Sequence, residues 1–158
     1  MQFRMKGKAP ILSPFKFDRS SPMSAVAVSR VPARVAAARG VATLLRLEGL
    51  VVLAAAVSAY AFVGGAWPLF ALLLLAPDLA MLGYRFGPVV GAAAYNAVHT
   101  YLAPAALGAA GLALGPPGIQ ALALIWIAHI GLDRALGFGL KYATGFGDTH
   151  LGRFGRSA

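Results

Sequence analysis

Four long apolar stretches follow one another along the chain, and short breaks rich in glycine and proline separate them. We place these stretches at about residues 41–63, 67–84, 88–114 and 119–142. Each approaches the roughly 20 residues that an α-helix needs to cross a bilayer. The breaks GGAW, RFG and GPPG are short, which favours antiparallel neighbours. The pattern predicts an all-α membrane protein, a four-helix transmembrane bundle with up-down-up-down topology.

Composition and charge support this prediction and add an orientation. Of the 158 residues, 59% are hydrophobic and only 12% are charged. The breaks at 64–67 and 115–118 carry no charge, and the positive charges beyond residue 40 gather near the other end of the bundle. These charges are Arg46, Arg85, Arg134, Lys141, Arg153 and Arg156. The positive-inside rule then predicts cytoplasmic termini in a multi-pass protein of the inner (cytoplasmic) membrane.

The two ends of the chain differ from its apolar middle. Residues 1–40 are basic and are predicted to form a disordered tail that contacts anionic lipid. A nucleic-acid partner is not expected, because the tail has no interleaved aromatic residues and no recognisable binding fold. Residues 143–158 form a glycine-rich cytoplasmic tail that could fold back under the bundle. The chain has no cysteine, which excludes disulfides, thiolate metal sites and cysteine nucleophiles.

Nearly all acids and histidines lie in or against the predicted helices. They are Glu48, Asp78, His99, His129, Asp133, Asp148 and His150. An acid at a helix centre costs about 2.5–3.5 kcal/mol on insertion scales, so these groups need partners. All four helices place an ionisable group in the half nearer the charged end, and none places one in the other half. We therefore expect one shared polar cluster in the cytoplasmic half.

Spacing along the helices also indicates convergence. His129 and Asp133 are four residues apart and share one helical face. Pro77 and Pro104 each remove a backbone donor, which predicts irregular backbone near the expected cluster. Such backbone is tolerated in a membrane where it is buried or lines a polar cavity.

Histidines and carboxylates that converge from different helices are typical ligands of zinc or non-haem iron. Our leading hypothesis is an intramembrane metal-dependent hydrolase that acts on a lipid or another amphipathic substrate from the inner leaflet. Asp78, His99 and His129 would bind the metal, Asp133 would orient His129, and Glu48 would be the general base. Four further residues would hold or cover this cluster: Asn96, Lys141, Asp148 and His150.

Two other functions fit the same residues. Carboxylates and histidines also relay protons in transporters and channels, and a single four-helix chain would then need to form a homo-oligomer. The polar residues could also simply pair between helices in a structural membrane protein, at about 0.6–2 kcal/mol for each pair.

Five segments carry a resemblance to a known family. They are LLRLEGL at 44–50, LAPDLAMLGY at 75–84, YNAVHTYL at 95–102, AHIGLDRALGFGLKY at 128–142 and TGFGDTHLG at 144–152. In this order they resemble a family of small bacterial integral-membrane proteins that is catalogued as a domain of unknown function. The resemblance implies four spans whose motif positions are the polar residues above. It implies no activity, substrate or cofactor.

Overall fold

The protein is described by a computed structural model that covers the backbone of residues 23–153 and the side chains of residues 39–153. The chain divides into two compact units, Met1–Val35 and Ala36–Ala158. Of the first unit, only helical backbone from Met23 onward is described. The contacts and cavities of the described side chains belong to the second unit.

Helices make up most of the described chain. Helix α1 runs from Met23 to Val63, α2 from Trp67 to Leu73, and a 3₁₀ helix from Ala76 to Phe86. They are followed by α3 (Pro88–Val98), α4 (Leu102–Leu114) and α5 (Pro117–Leu136). Two short strands, β1 (Asp148–Thr149) and β2 (Gly152–Arg153), pair antiparallel near the carboxyl end.

These helices form four segments that are long and apolar enough to cross a membrane. The segments are Arg39–Val63, Trp67–Phe86, Pro88–Leu114 and Pro117–Leu136. Large apolar side chains point outward from them, including Phe62 at 92% exposure and Leu102 at 81%. Lipid is the natural surrounding for such a surface. The prediction of a four-span helical membrane protein is confirmed, and the orientation of its termini stays a prediction.

Two of the spans are interrupted where the prolines predict irregular backbone. Helix α2 ends at Leu73, whose carbonyl would normally bond to the N–H that Pro77 lacks, and the chain continues as a 3₁₀ helix. The third span breaks at residues 99–101, one turn before Pro104. The break places His99 at the end of α3 instead of inside a continuous helix.

Two outer boundaries of the predicted spans differ from the helices of the structure by more than two residues. Helix α1 begins at Met23, so Val41 marks only the start of the apolar stretch, and the helix includes part of the predicted tail. Residues 1–22 and 154–158 lie outside the described residues, so a disordered tail there stays a prediction. Helix α5 ends at Leu136, six residues before the predicted end at Tyr142. Gly137 adopts a φ of 96° and stops the helix in the left-handed conformation.

Close packing between α1 and α5 holds the polar half of the bundle together. A Cβ atom added to Gly131 would lie 2.7 Å from the backbone nitrogen of Leu53 and 2.9 Å from the carbonyl oxygen of Gly49. Only glycine allows the two backbones to approach so closely. The apolar core lies toward the other end of these helices, where Tyr60, Phe70 and Ile125 are buried together.

Candidate metal centre

Four ligand-type side chains meet between three structural elements. Asp78 comes from the 3₁₀ helix, His99 from the break after α3, and His129 and Asp133 from α5. One possible ligand atom from each residue lies within 4.8 Å of the other three. Both imidazole rings are buried, whereas the Asp78 side chain is 35% exposed. Asp78 therefore lies at the accessible side of the group.

The imidazole nitrogens form the centre of this group. The Nε2 atoms of His99 and His129 are 3.0 Å apart. The His99 Nε2 lies 3.6 Å from Asp78 Oδ1 and 3.5 Å from Asp133 Oδ2. The His129 Nε2 lies 3.7 Å and 3.9 Å from the same two oxygens. The four histidine–carboxylate distances all exceed the usual 2.7–3.2 Å of an N–H···O hydrogen bond.

The four histidine–carboxylate distances are close to the edges of a metal-centred tetrahedron. Metal–ligand bonds of 2.0–2.2 Å, as zinc makes to nitrogen and oxygen, separate neighbouring ligands by about 3.3–3.6 Å. The four histidine–carboxylate distances of 3.5–3.9 Å lie at or just above that range. The 3.0 Å between the two imidazole Nε2 atoms lies below it and is a hydrogen-bond distance. The histidine–carboxylate pairs are thus spaced for a shared ion, whereas the two imidazoles also contact each other directly.

The break after α3 leaves the carbonyls of Val98 and His99 without their helical hydrogen bonds, and side chains of α5 replace those bonds. The carbonyl of Val98 accepts a 2.6 Å hydrogen bond from the indole nitrogen of Trp126, and the carbonyl of His99 accepts one of 3.2 Å from Arg134. In an unbroken helix these carbonyls would bond to backbone N–H groups four residues ahead. Two α5 side chains therefore replace the lost helical bonds and fix the position of His99.

The hydrogen bonds of the imidazoles determine which nitrogens face the centre. The Nδ1 of His99 lies 2.8 Å from the carbonyl oxygen of Tyr95, so this nitrogen carries the proton and Nε2 keeps its lone pair. A histidine that ligates a metal is usually held in this way. The Nδ1 of His129 is buried without a hydrogen-bond partner among the described residues. Its Nε2 faces the His99 Nε2 and both carboxylates.

Tyr95 is a supporting residue that our sequence analysis missed. Its hydroxyl donates a 2.6 Å hydrogen bond to Asp133 Oδ2, and its ring stacks on His99 at a centroid distance of 3.6 Å. Asp133 is thereby oriented by a neighbour and offers an oxygen to the group, whereas we expected it to orient His129. Tyr95 lies on α3 and His99 directly after it, four residues further along, and this spacing is the signal that could have indicated the contact.

The segment after α5 folds back against the bundle, as the sequence suggested. The Asn96 amide bonds twice to the backbone of Lys141, through its Nδ2 to the carbonyl at 2.8 Å and through its Oδ1 to the N–H at 2.7 Å. The Lys141 ammonium lies 4.0 Å from the ring centre of Phe146 and 5.0 Å from that of Tyr95. Burial lowers the pKa of Lys141, and the charges of Asp133 and Asp78 oppose that shift.

Glu48, Asp148 and His150 lie outside the four-residue group. Glu48 is exposed on α1 and lines a small cavity with His150 and Arg134. Asp148 accepts a hydrogen bond from Thr144 and forms an ion pair at 3.4 Å with an arginine of β2. Burial and the charge of Arg134 lower the pKa of His150.

Arg134 makes contacts that its position in the sequence does not indicate. It directly follows Asp133, about 100° around the helix from the face of His129 and Asp133. Its guanidinium nevertheless bonds to the His99 carbonyl and lies 3.1 Å from His150 Nε2. The carbonyl left free by the helix break is the physical reason for this position.

Comparisons with known proteins give a family and no activity. No curated protein and no solved structure matches the chain. Residues 42–154, well over half of the chain, match the family model described as Domain of unknown function (DUF4260). The matched region includes the whole candidate metal centre and the segment that follows α5. The chain belongs to this DUF4260 family, as the resemblance of its motifs suggested.

Proposed function

We propose that this protein is an intramembrane metalloprotein in which Asp78, His99, His129 and Asp133 hold one divalent transition-metal ion. The observation that supports this most is the convergence of four ligand atoms within 4.8 Å of one another. The alternative, direct pairing of the same residues, accounts for the 3.0 Å contact between the two imidazoles but would also predict short histidine–carboxylate hydrogen bonds. The separations of 3.5–3.9 Å do not fit that expectation.

Charge provides a second argument for a cation. In the forms that bind metals, deprotonated carboxylates and neutral imidazoles, these four ligands would carry a formal charge of –2, which a divalent cation would neutralise. Lys141 and Arg134 are close enough to affect the electrostatic potential at the four ligands. Within the described chain, however, neither forms an ion pair with Asp78 or Asp133 at 4.0 Å or less. Two nitrogen and two oxygen ligands in a tetrahedral arrangement fit zinc best, and ferrous iron uses the same ligand types.

The exposed side of the group is the basis for proposing hydrolysis. His99, His129 and Asp133 are the more buried ligands, and Asp78 lies where a substrate could approach. A bound metal would supply Lewis acidity toward a carbonyl oxygen and would lower the pKa of a bound water. In ester hydrolysis the water oxygen bonds to the acyl carbon, the acyl C–O bond breaks, and the water proton passes to the leaving alkoxide. We assign that proton transfer to Asp78, the most exposed of the four ligands, which would have to release the metal to open a position for the water. Glu48 is not assigned this role, because it lies outside the group.

Elemental analysis of detergent-purified protein tests metal binding. We expect about one equivalent of zinc after loading and washing, and less than a tenth of an equivalent in His129→Ala and Asp78→Ala. His150→Ala is the matched control and should keep its metal. Melting temperature should fall on chelator addition in the wild type but not in the two ligand variants. Absence of metal together with melting that is insensitive to chelator would instead show that the four residues only link the helices.

We further propose that anionic lipid contacts the protein at its basic end. Arg39, Arg46 and Arg153 line a surface cavity of about 400 Å³, and basic residues beside a membrane attract anionic headgroups. Vesicles with phosphatidylglycerol should compete for the purified protein better than vesicles with phosphatidylcholine alone. The preference should weaken when all three arginines are replaced by glutamine; an unchanged preference would contradict this assignment.

We also propose cytoplasmic termini in the inner membrane. The chain has no cysteine, so a single introduced cysteine reports its side of the membrane without interference. Tyr142→Cys should react with a membrane-impermeant thiol reagent only after the cytoplasmic side is opened. Gly118→Cys should react from the outside. The reverse result would invert the topology.

A further inference from the structure

An apolar cleft is lined by residues that directly precede two of the candidate metal ligands. Its volume is about 380 Å³, within the range of small-molecule binding sites. The cleft lies between the second, third and fourth spans. Six residues represent its walls: Leu73, Pro77, Val98, Leu107, Leu122 and Trp126.

The cleft and the metal centre share the same structural elements. Pro77 directly precedes Asp78, and Val98 directly precedes His99. On α5, Leu122 and Trp126 lie seven and three residues before His129, which places all three on one face of the helix. That face is about 10 Å long from Leu122 to His129 at the helical rise of 1.5 Å per residue. A molecule in the cleft would therefore have one end next to the cluster.

The cleft offers almost nothing to a polar occupant. Trp126 is the lining residue with a polar side-chain atom, and its indole N–H is already bonded to the Val98 carbonyl at 2.6 Å. Water needs several polar partners to occupy a cavity, so this one is unsuited to water. An alkyl chain needs none, and the cleft lies within segments that are long and apolar enough to be surrounded by lipid.

The order of the two features along α5 indicates how an amphiphile would lie. Asp133 is close to the end of α5 at Leu136, where the charged residues gather, and the cleft lies further from that end. A lipid of the nearer leaflet also has its polar group at the interface and its chain toward the bilayer centre. The same molecule could thus place its headgroup at the metal centre and its chain in the cleft without turning over.

We propose that the substrate is a single-chain amphiphile whose alkyl or acyl chain occupies this cleft while its hydrolysable group lies against the metal centre. This inference rests on the proposed function, because the headgroup is held by the metal. It adds a chain-binding site to that function and fixes the direction in which the substrate lies. A chain-free analogue would bind through its headgroup alone.

Fluorescence of Trp126 provides a direct test. The chain has two tryptophans, so Trp67→Phe leaves Trp126 as the single emitter. The probe is a long-chain hydroxamic acid with bromine atoms at mid-chain, because hydroxamate chelates zinc and bromine quenches tryptophan at contact. It is added at low mole fraction to zinc-loaded Trp67→Phe protein in non-brominated bilayers. We expect saturable quenching that excess acetohydroxamate reverses.

Cleft-filling and control variants separate this inference from the metal site. Ala76→Phe places a bulky ring in the cleft, and Ala71→Phe places the same ring on the exposed side of the same span. Ala76→Phe should raise the half-saturating probe concentration about tenfold, since an overpacked cleft must rearrange to admit a chain. Ala71→Phe should leave it unchanged. Zinc content is measured on every sample and should be equal in both variants.

Each outcome has a separate meaning. Full zinc content with quenching that does not saturate, or that is the same in Ala76→Phe and Ala71→Phe, would overturn the chain-binding site and leave the metal centre standing. Loss of zinc from all samples, wild type included, would overturn the proposed function and this inference with it. Saturable quenching that survives His129→Ala would show that the chain binds without the metal, which would contradict a headgroup held there.

Discussion

The hydroxyl of Tyr95 provides a specific test of how the metal centre is built. Tyr95→Phe removes one oxygen atom and keeps the ring that stacks on His99. The lost hydrogen bond to Asp133 Oδ2 is 2.6 Å long, and a metal-bound carboxylate would be a charged acceptor. Hydrogen bonds to charged groups contribute about 1.5–3 kcal/mol. A tenfold change in affinity corresponds to about 1.4 kcal/mol, so we expect zinc to bind about 10–100-fold more weakly.

Competition between the protein and a chromophoric zinc chelator in detergent measures this affinity. Tyr142→Phe is the matched control, because Tyr142 is 54% exposed and lies outside the four spans. Its zinc affinity should stay within about twofold of the wild type. If Tyr95→Phe binds zinc as tightly as Tyr142→Phe, Asp133 is not oriented for the metal by Tyr95. Equal melting temperatures of the two metal-free variants would exclude a general loss of folding as the cause.

Three further predictions concern the segments that pack around the candidate metal centre. Asn96→Ala removes both bonds to the segment after α5, at about 1 kcal/mol each, and hydrogen exchange of residues 140–150 should become faster than in the wild type. Gly131→Ala should lower the stability by about 1–3 kcal/mol in thermal melting, whereas Gly108→Ala, whose added Cβ meets its nearest neighbour at 3.5 Å, should not. The lowered pKa of His150 means that the unfolded chain binds a proton more readily than the docked segment, so docking is complete at neutral pH and weakens as pH falls below about 6.5. Exchange should therefore accelerate at acid pH in the wild type and lose that dependence in His150→Gln; a flat wild-type profile would contradict the assignment.

The sequence was sufficient to predict the spans because membrane insertion depends mainly on apolar length. The stretch from Trp67 to Phe86, for example, is identified by composition whether or not Pro77 interrupts its hydrogen bonds. Helix ends depend on local geometry, and this is where the prediction was weakest. The apolar residues after Gly137 looked like a continued helix, but the left-handed conformation of that glycine ends α5 at once.

The convergence of Asp78, His99 and His129 was also predictable, since buried ionisable groups at one depth of a bundle must meet. The exact membership of the cluster was not. Glu48 has a depth similar to the others, but it is exposed on α1. The position of a residue around its helix axis depends on packing against neighbours. No spacing within α1 alone shows that Glu48 lies outside the cluster.

The role of Tyr95 depends on the same kind of information. Its hydroxyl meets Asp133 across a helix pair, 38 residues away in the chain. The sequence shows that Tyr95 shares a face with His99, but it does not show which α5 residue lies opposite. The apolar cleft was hidden for a related reason, because Leu107, Leu122 and Trp126 look like ordinary lipid-facing residues until the helices are assembled.

X-ray absorption at the zinc edge, together with the zinc-to-protein ratio, tests the central claim most directly. The claim is that two imidazoles and two carboxylates hold one ion. We predict about one zinc per chain, four nitrogen or oxygen neighbours at about 2.0–2.2 Å, and outer-shell scattering from two imidazoles. That scattering should fall to one imidazole, or disappear with the metal, in His99→Ala. Less than a tenth of an equivalent of any transition metal in the loaded wild type, or a spectrum without imidazole, would contradict the claim.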